Sequence, residues 1–163
     1  MSYYLTYLPK KILVSEGEKL LLEVIRGFNW KGRLFYKFYH GGTIIMECSY
    51  YTSLFFSEIK LEKKYISDLV DFKKVEKKIV MDYNHDYYNI KRKFGNKIFA
   101  VMKNPIFKLL KNNVETGEVS NLKKISMGGG SQYRIDFYYE DKSNLYQVIF
   151  FILKNHSSLF MLP

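Results

Sequence analysis

Short apolar and aromatic runs, punctuated by glycine, fill the first half of the chain and read as consecutive strands. Ile12, Leu13 and Val14 form one run and residues 19–28 the next, with a turn at Glu16, Gly17 and Glu18 between them. The clearest pair follows. Residues 33–40 and 43–51 are rich in aromatic and β-branched side chains and flank Gly41-Gly42. Glycine supplies the positive φ angles that a two-residue hairpin turn demands. Simple pairing about that turn sets Phe38 against Ile45 and Tyr36 against Glu47. On the other face it sets Tyr39 against Ile44 and Phe35 against Cys48. Both faces then carry apolar pairs, so the hairpin needs cover on both. Residues 52–61 continue as a further strand or as an extension of the same one.

Residues 67–79 follow a different period. Leu69, Phe72, Val75 or Glu76, and Ile79 recur at helical spacing, with Asp68 and Asp71 at the start and Lys73, Lys74, Lys77 and Lys78 near the end, an order that complements a helix dipole. This predicts a short amphipathic helix or a charged connection between two halves. Strands resume at 79–83, then at 87–94 and 97–103 around Gly95-Asn96, a second good two-residue turn. Pairing about it places Tyr88, Ile90, Arg92, Phe94, Phe99 and Val101 on one face and Lys91, Lys93, Ile98, Ala100 and Met102 on the other. Pro105 ends that strand, and 106–111 is either a helical turn or another strand. After a turn at Glu115, Thr116, Gly117 and Glu118 and a Gly128-Gly129-Gly130-Ser131 loop, residues 132–139 and 145–153 read as a third hairpin, and the apolar 159–162 is expected to dock. The fold class expected is mainly β, an antiparallel meander of hairpins forming a barrel or sandwich, with one or two short helices. Residues 1–163 read as a single domain, with the charged segment 62–78 the one place for an internal boundary between two β-rich halves.

Composition supports a packed domain. Of 163 residues 47% are hydrophobic and 18% aromatic, which argues against disorder despite the charge. The single cysteine, Cys48, excludes an internal disulfide, and the opening residues lack a charged start followed by a long apolar run, so cytoplasm is the expected location. The best apolar run, 145–153, is broken by Gln147 and falls short of the ~20 residues a transmembrane helix requires, so no transmembrane segment is expected. The net charge of +10 is spread evenly. Only Arg26, Arg33, Arg92 and Arg134 among the 26 basic residues are arginines. Such lysine excess marks either an anionic partner or the bias of an A/T-rich coding genome.

Candidate chemistry is sparse. Asp82, His85 and Asp86 lie close enough in sequence for metal or acid/base work, but Asn84-His85-Asp86 has the composition of a polar turn. Cys48 alternates within a strand without a flanking motif and reads as packing. The glycine-rich loop has the composition of a phosphate cradle without its Lys-Ser/Thr ending. Lys91, Arg92, Lys93 and Lys97, interleaved with Phe94 and Phe99, suit phosphate contact and base stacking, or else a solvated hairpin face.

The run 88–101, then 106–110 and 117–119, with a looser echo in 33–61 and an apolar C-terminal stretch, resembles the tubby-like β-barrel group, which includes LURP-one-related and scramblase-like proteins. In that group meandering strands wrap a central apolar helix. The resemblance implies a closed barrel and contact with anionic phospholipid, and it carries no functional residues onto this chain. The C-terminal stretch itself reads as strand at least as readily as helix.

The sequence therefore points to a non-enzymatic binding module for an anionic membrane surface or nucleic acid, with Lys91, Arg92, Lys93 and Lys97 as binding residues, and with no catalytic residue, metal or cofactor. The rival readings are a protein–protein interaction module such as a small inhibitor, immunity or adaptor protein, and an enzyme with an unrecognised site.

Overall fold

Alternation of buried and exposed positions begins at the second residue, and it builds the wall of a barrel. The computed structural model describes residues 1–28, 33–52, 57–75, 78–92, 105–123 and 131–155. Its strands are β1 (Ser2–Tyr7), β2 (Lys11–Glu16), β3 (Lys19–Phe28), β4 (Leu34–His40), β5 (Thr43–Thr52), β6 (Ser57–Lys64), β7 (Val70–Val75), β8 (Lys78–Tyr83), β9 (Asp86–Arg92), β10 (Phe107–Lys111), β11 (Val114–Lys123) and β12 (Gln132–Phe137). One helix, α1 (Ser143–Lys154), follows. Strand accounts for 68% and helix for 11%, so the protein is mainly β. The sheet runs β6-β5-β4-β3-β2-β1-β12-β11-β10-β9-β8-β7, antiparallel throughout, and forms a nearly closed barrel whose two edges are β6 and β7. Among the described residues no ladder joins those edges.

β1 closes the two ends of the chain together, pairing with β12 on one side and β2 on the other. Tyr3, Leu5 and Tyr7 point inward from it, and the sequence reading had assigned no strand there. The Gly41-Gly42 turn forms as expected, with φ of 56° and 79°. Its pairing differs from simple hairpin register. A bulge between Phe38 and Tyr39 leaves Ile45 unmatched, so that Tyr39 still faces Ile44 but Phe38 faces Met46, Tyr36 faces Cys48 and Phe35 faces Ser49. The shift sorts the hairpin into one dry face of Tyr36, Phe38, Met46 and Cys48, all at most 1% exposed.

Three further expectations are corrected. The described part of 67–79, residues 67–75 and 78–79, is not helical: the period-two positions Val70 and Phe72, then Met81 and Tyr83, face inward from β7 and β8, which pair with each other. The expected turn at 115–118 is the start of β11, and the chain reverses one step earlier at Asn112 and Asn113, both with positive φ. Asparagine tolerates that conformation better than other chiral residues. Residues 145–153 form no third hairpin, because β12 spends both of its edges on β1 and β11. They belong to α1 instead.

α1 is apolar on nearly every side, the mark of a helix buried all round, and Val148, Ile149, Phe150, Phe151, Ile152 and Leu153 are each at most 1% exposed. A barrel of eight strands is just filled by its own side chains; twelve strands leave room for more. Twelve helical residues, about 18 Å long, occupy that space. Phe72 stacks on Phe150 at 6.0 Å, Tyr83 on Tyr146 at 4.8 Å, and Phe107 and Tyr133 meet Phe151 edge-on at 5.7 Å each. Polar contacts fix its orientation. Asp141 Oδ1 accepts the Ser143 N–H at 2.7 Å, relieving one orphan amide of the first turn. Thr116, set inward by a bulge in β11, donates to Gln147 Oε1 at 3.0 Å, and the Tyr146 hydroxyl donates to Asp68 in the β6–β7 connection.

Candidate functional site

Of the expected binding residues, Lys91 and Arg92 end β9. Alternation from the inward Tyr88 sends Lys91 outward, opposite Lys108 of β10, and both Lys91 and Arg92 are exposed. The Arg92 guanidinium sits 5.5 Å from the Phe107 ring centroid, a cation–π contact that holds it at the barrel rim. Lys93 and Lys97 lie outside the described residues, as do Phe94, Phe99, the Gly95-Asn96 turn and its second strand. Residues 128–130 of the glycine-rich loop and 159–162 also lie outside them.

Around Lys91 the outer wall is basic. Lys108 forms an ion pair with Glu115, and Lys73 with Asp82 at 2.6 Å. Lys63, Lys74, Lys78 and Lys91 are exposed and have no ion pair among the described residues. An open cleft of about 210 Å3 lies nearby on the outer face of β7, between Lys64 and His85.

The Asp82, His85 and Asp86 set is a hairpin turn. Asn84 and His85 adopt φ of 49° and 70°, and Tyr83 pairs with Asp86 across them. Asp82 Oδ1 accepts the His85 N–H at 3.2 Å while its other oxygen holds Lys73. Asp86 turns the other way, 2.8 Å from Lys111 Nζ and accepting from Asn112 at 2.7 Å. Those partners depress the Asp86 carboxyl and raise the Lys111 ammonium, so each group is locked in its charged form. Among the described residues no three His, Cys, Asp or Glu side chains are placed to hold a metal. Cys48 is buried on β5, and desolvation pushes its thiol well above the usual range, which suppresses the reactive thiolate. His40 is exposed, with Nδ1 2.8 Å from the Leu21 carbonyl oxygen.

Lys154 is not among the residues that sequence motifs single out. It ends α1, where a cation complements the helix dipole, and this is the one sequence signal that marks it. Its ammonium donates to Asn89 Oδ1 at 2.8 Å and to the Ile79 carbonyl at 3.3 Å and lies 5.3 Å from the Phe150 ring centroid. Burial, reinforced by the charge of Lys78, pulls it down to about 8.

No protein family, curated protein or solved structure matches this chain. Function must therefore be read from the residues themselves.

The buried ionisable groups make stability depend on pH in two opposed ways. Between about 8 and 10.5 the unfolded chain holds a proton on Lys154 that the folded chain has released, so stability rises with pH across that window, by at most about 3 kcal/mol. Burial raises Tyr7 and Tyr36 above the ordinary phenol value of 10.0, so the folded chain keeps protons there that the unfolded chain loses, and stability falls above that pH. The urea midpoint is expected to be higher near pH 9.5 than at pH 7 and to drop beyond about pH 11, and Lys154→Met should remove the rise. A midpoint that declines steadily from neutral pH would contradict this assignment.

Proposed function

We propose that this protein is a non-enzymatic binding module whose outer lysine-rich surface engages an anionic partner, a phospholipid surface or nucleic acid. One observation carries the reading. The barrel lumen is filled by the protein's own helix, so recognition falls to the outer wall, and there Lys63, Lys78 and Lys91 stand exposed without an acidic partner among the described residues. The groups that sequence offered for catalysis are engaged elsewhere, Asp82 by Lys73 and Asp86 by Lys111. A tubby-like relationship suits this proposal, since a barrel around an apolar helix is what the resemblance implies, and it favours phospholipid over nucleic acid. Among the described residues no helix is long and apolar enough to cross a membrane; the lipid contact proposed is a peripheral one, made by the exposed lysines.

Charge-driven binding releases counterions and weakens steeply with salt. The protein is expected to be retained on heparin and on anionic liposomes at low salt and to elute as ionic strength rises. Failure to be retained by either at low salt would end this reading.

A second reading has its own support. Tyr87 on β9, Val114 on β11 and Tyr138 just after β12, from 49% to 65% exposed, lie near the Asn112 turn: the Tyr87 N–H donates to Asn112 Oδ1, and the Tyr138 hydroxyl donates to Glu115. Exposed aromatic surface of this kind suits a protein partner. A stoichiometric complex that survives high salt would favour it.

A further inference from the structure

β8 and β9 pair over only three positions, from Tyr83↔Asp86 to Met81↔Tyr88, although both strands continue beyond them. Beyond Met81↔Tyr88 no ladder pair joins the two strands among the described residues, and this unpaired stretch of the wall is a wedge between them. Lys154 reaches into it from α1 and spans the gap, donating to the Ile79 carbonyl on β8 and to Asn89 Oδ1 on β9. Asn89 Oδ1 also accepts the Ile90 N–H at 2.8 Å, so β9 satisfies one of its own amides here. Alternation from the inward Met81 and Tyr88 places Lys78 and Lys91 on the outer face, one on each rim of the wedge.

An ammonium has three protons, and Lys154 spends two of them on these acceptors. No carboxylate pairs with Lys154, Lys78 or Lys91 among the described residues, and the charge acting most on Lys154 is the like charge of Lys78. A cation at a helix C-terminus is explained by the dipole and by the carbonyl it satisfies. That role accounts for Lys154 and leaves the uncompensated cations on both rims unexplained. We propose that the wedge between β8 and β9 binds a phosphomonoester dianion, with Lys154 at its apex and Lys78 and Lys91 on its rims. A tetrahedral dianion offers a separate oxygen to each ammonium, whereas a planar carboxylate is better matched by a guanidinium fork. The inference rests on the anionic-partner reading above and narrows it to one site.

Calorimetric titration with inorganic phosphate, against chloride at equal ionic strength, tests the site. The Lys78→Met/Lys91→Met variant is expected to fold as the parent does and to bind phosphate about tenfold more weakly for each lysine lost, the scale of one charge-assisted hydrogen bond. Lys154→Met should lose binding as well, while the exposed pair Lys19→Met/Lys142→Met should bind as the parent does. Vesicles containing phosphatidate or, at matched charge, phosphatidylserine separate the two sources of the group. Preference for phosphatidate, competed by phosphate, identifies a lipid headgroup; phosphate binding without that preference identifies a soluble ligand. Unchanged phosphate affinity in the double rim variant overturns the site. So does a parent that ignores phosphate yet is retained on heparin, in which case the broader anionic reading stands; loss of both ends both.

Discussion

Phe151→Ala is expected to lower the unfolding free energy by about 3–5 kcal/mol, measured by chemical denaturation at neutral pH. The ring is 1% exposed at the centre of the barrel and lies edge-on to Phe107 of β10 and Tyr133 of β12. Removing it takes away the apolar burial and leaves a cavity between the helix and two strands of the wall, which a barrel hydrogen-bonded along most of its circumference cannot collapse to fill. Tyr139→Ala is the matched control. That residue is 47% exposed just after β12, and its loss should cost within about 0.5 kcal/mol. A Phe151 variant as stable as the Tyr139 variant would mean that α1 does not form the core.

Gly117→Ala should be the most costly small substitution in the wall. A Cβ there would lie 2.5 Å from the Asp136 carbonyl oxygen and 3.1 Å from Phe137 Cα, both backbone atoms of the neighbouring β12, so no rotamer change can relieve the contact. The strands must separate, at a cost of roughly 1–3 kcal/mol or more, and the bulge that presents Thr116 to Gln147 is strained with them. Gly17→Asn supplies the contrast. Gly17 has φ of +56° and open space around it, and asparagine accepts that conformation, so the denaturation midpoint should barely move. Equal effects at the two sites would show that β11 and β12 are not packed as closely as the structure has them.

These two positions show how far the fold was legible in the sequence. The Gly41-Gly42 hairpin and the β2–β3 turn at Gly17 were readable because glycine spacing fixes local geometry. Gly117 carries the same letter and means the opposite: it sits in mid-strand because another strand passes close by, which no local rule reports. Residues 145–153 were ambiguous for a related reason. An apolar run of nine fits a doubly buried strand as well as a buried helix, and the choice was made by β12 having no free edge. Leu69, Phe72 and Ile79 fell at helical spacing by accident, while the true signal, Val70 and Phe72 alternating inward, was short. At the candidate site, Lys91 was visible as one exposed cation among many. Lys154 was not, since nothing in the sequence announces that two strands part and that a helix end fills the gap.

The central claim is that the barrel is filled by its own helix and meets its partner with its outer wall. Hydrogen exchange of the folded protein with and without heparin tests it most directly. Amides of α1 are expected to exchange among the slowest in the chain and to be unaffected by heparin, while protection increases in β7, β8 and β9. Fast exchange in α1, or protection gained there and not in the β7–β9 wall, would contradict the account.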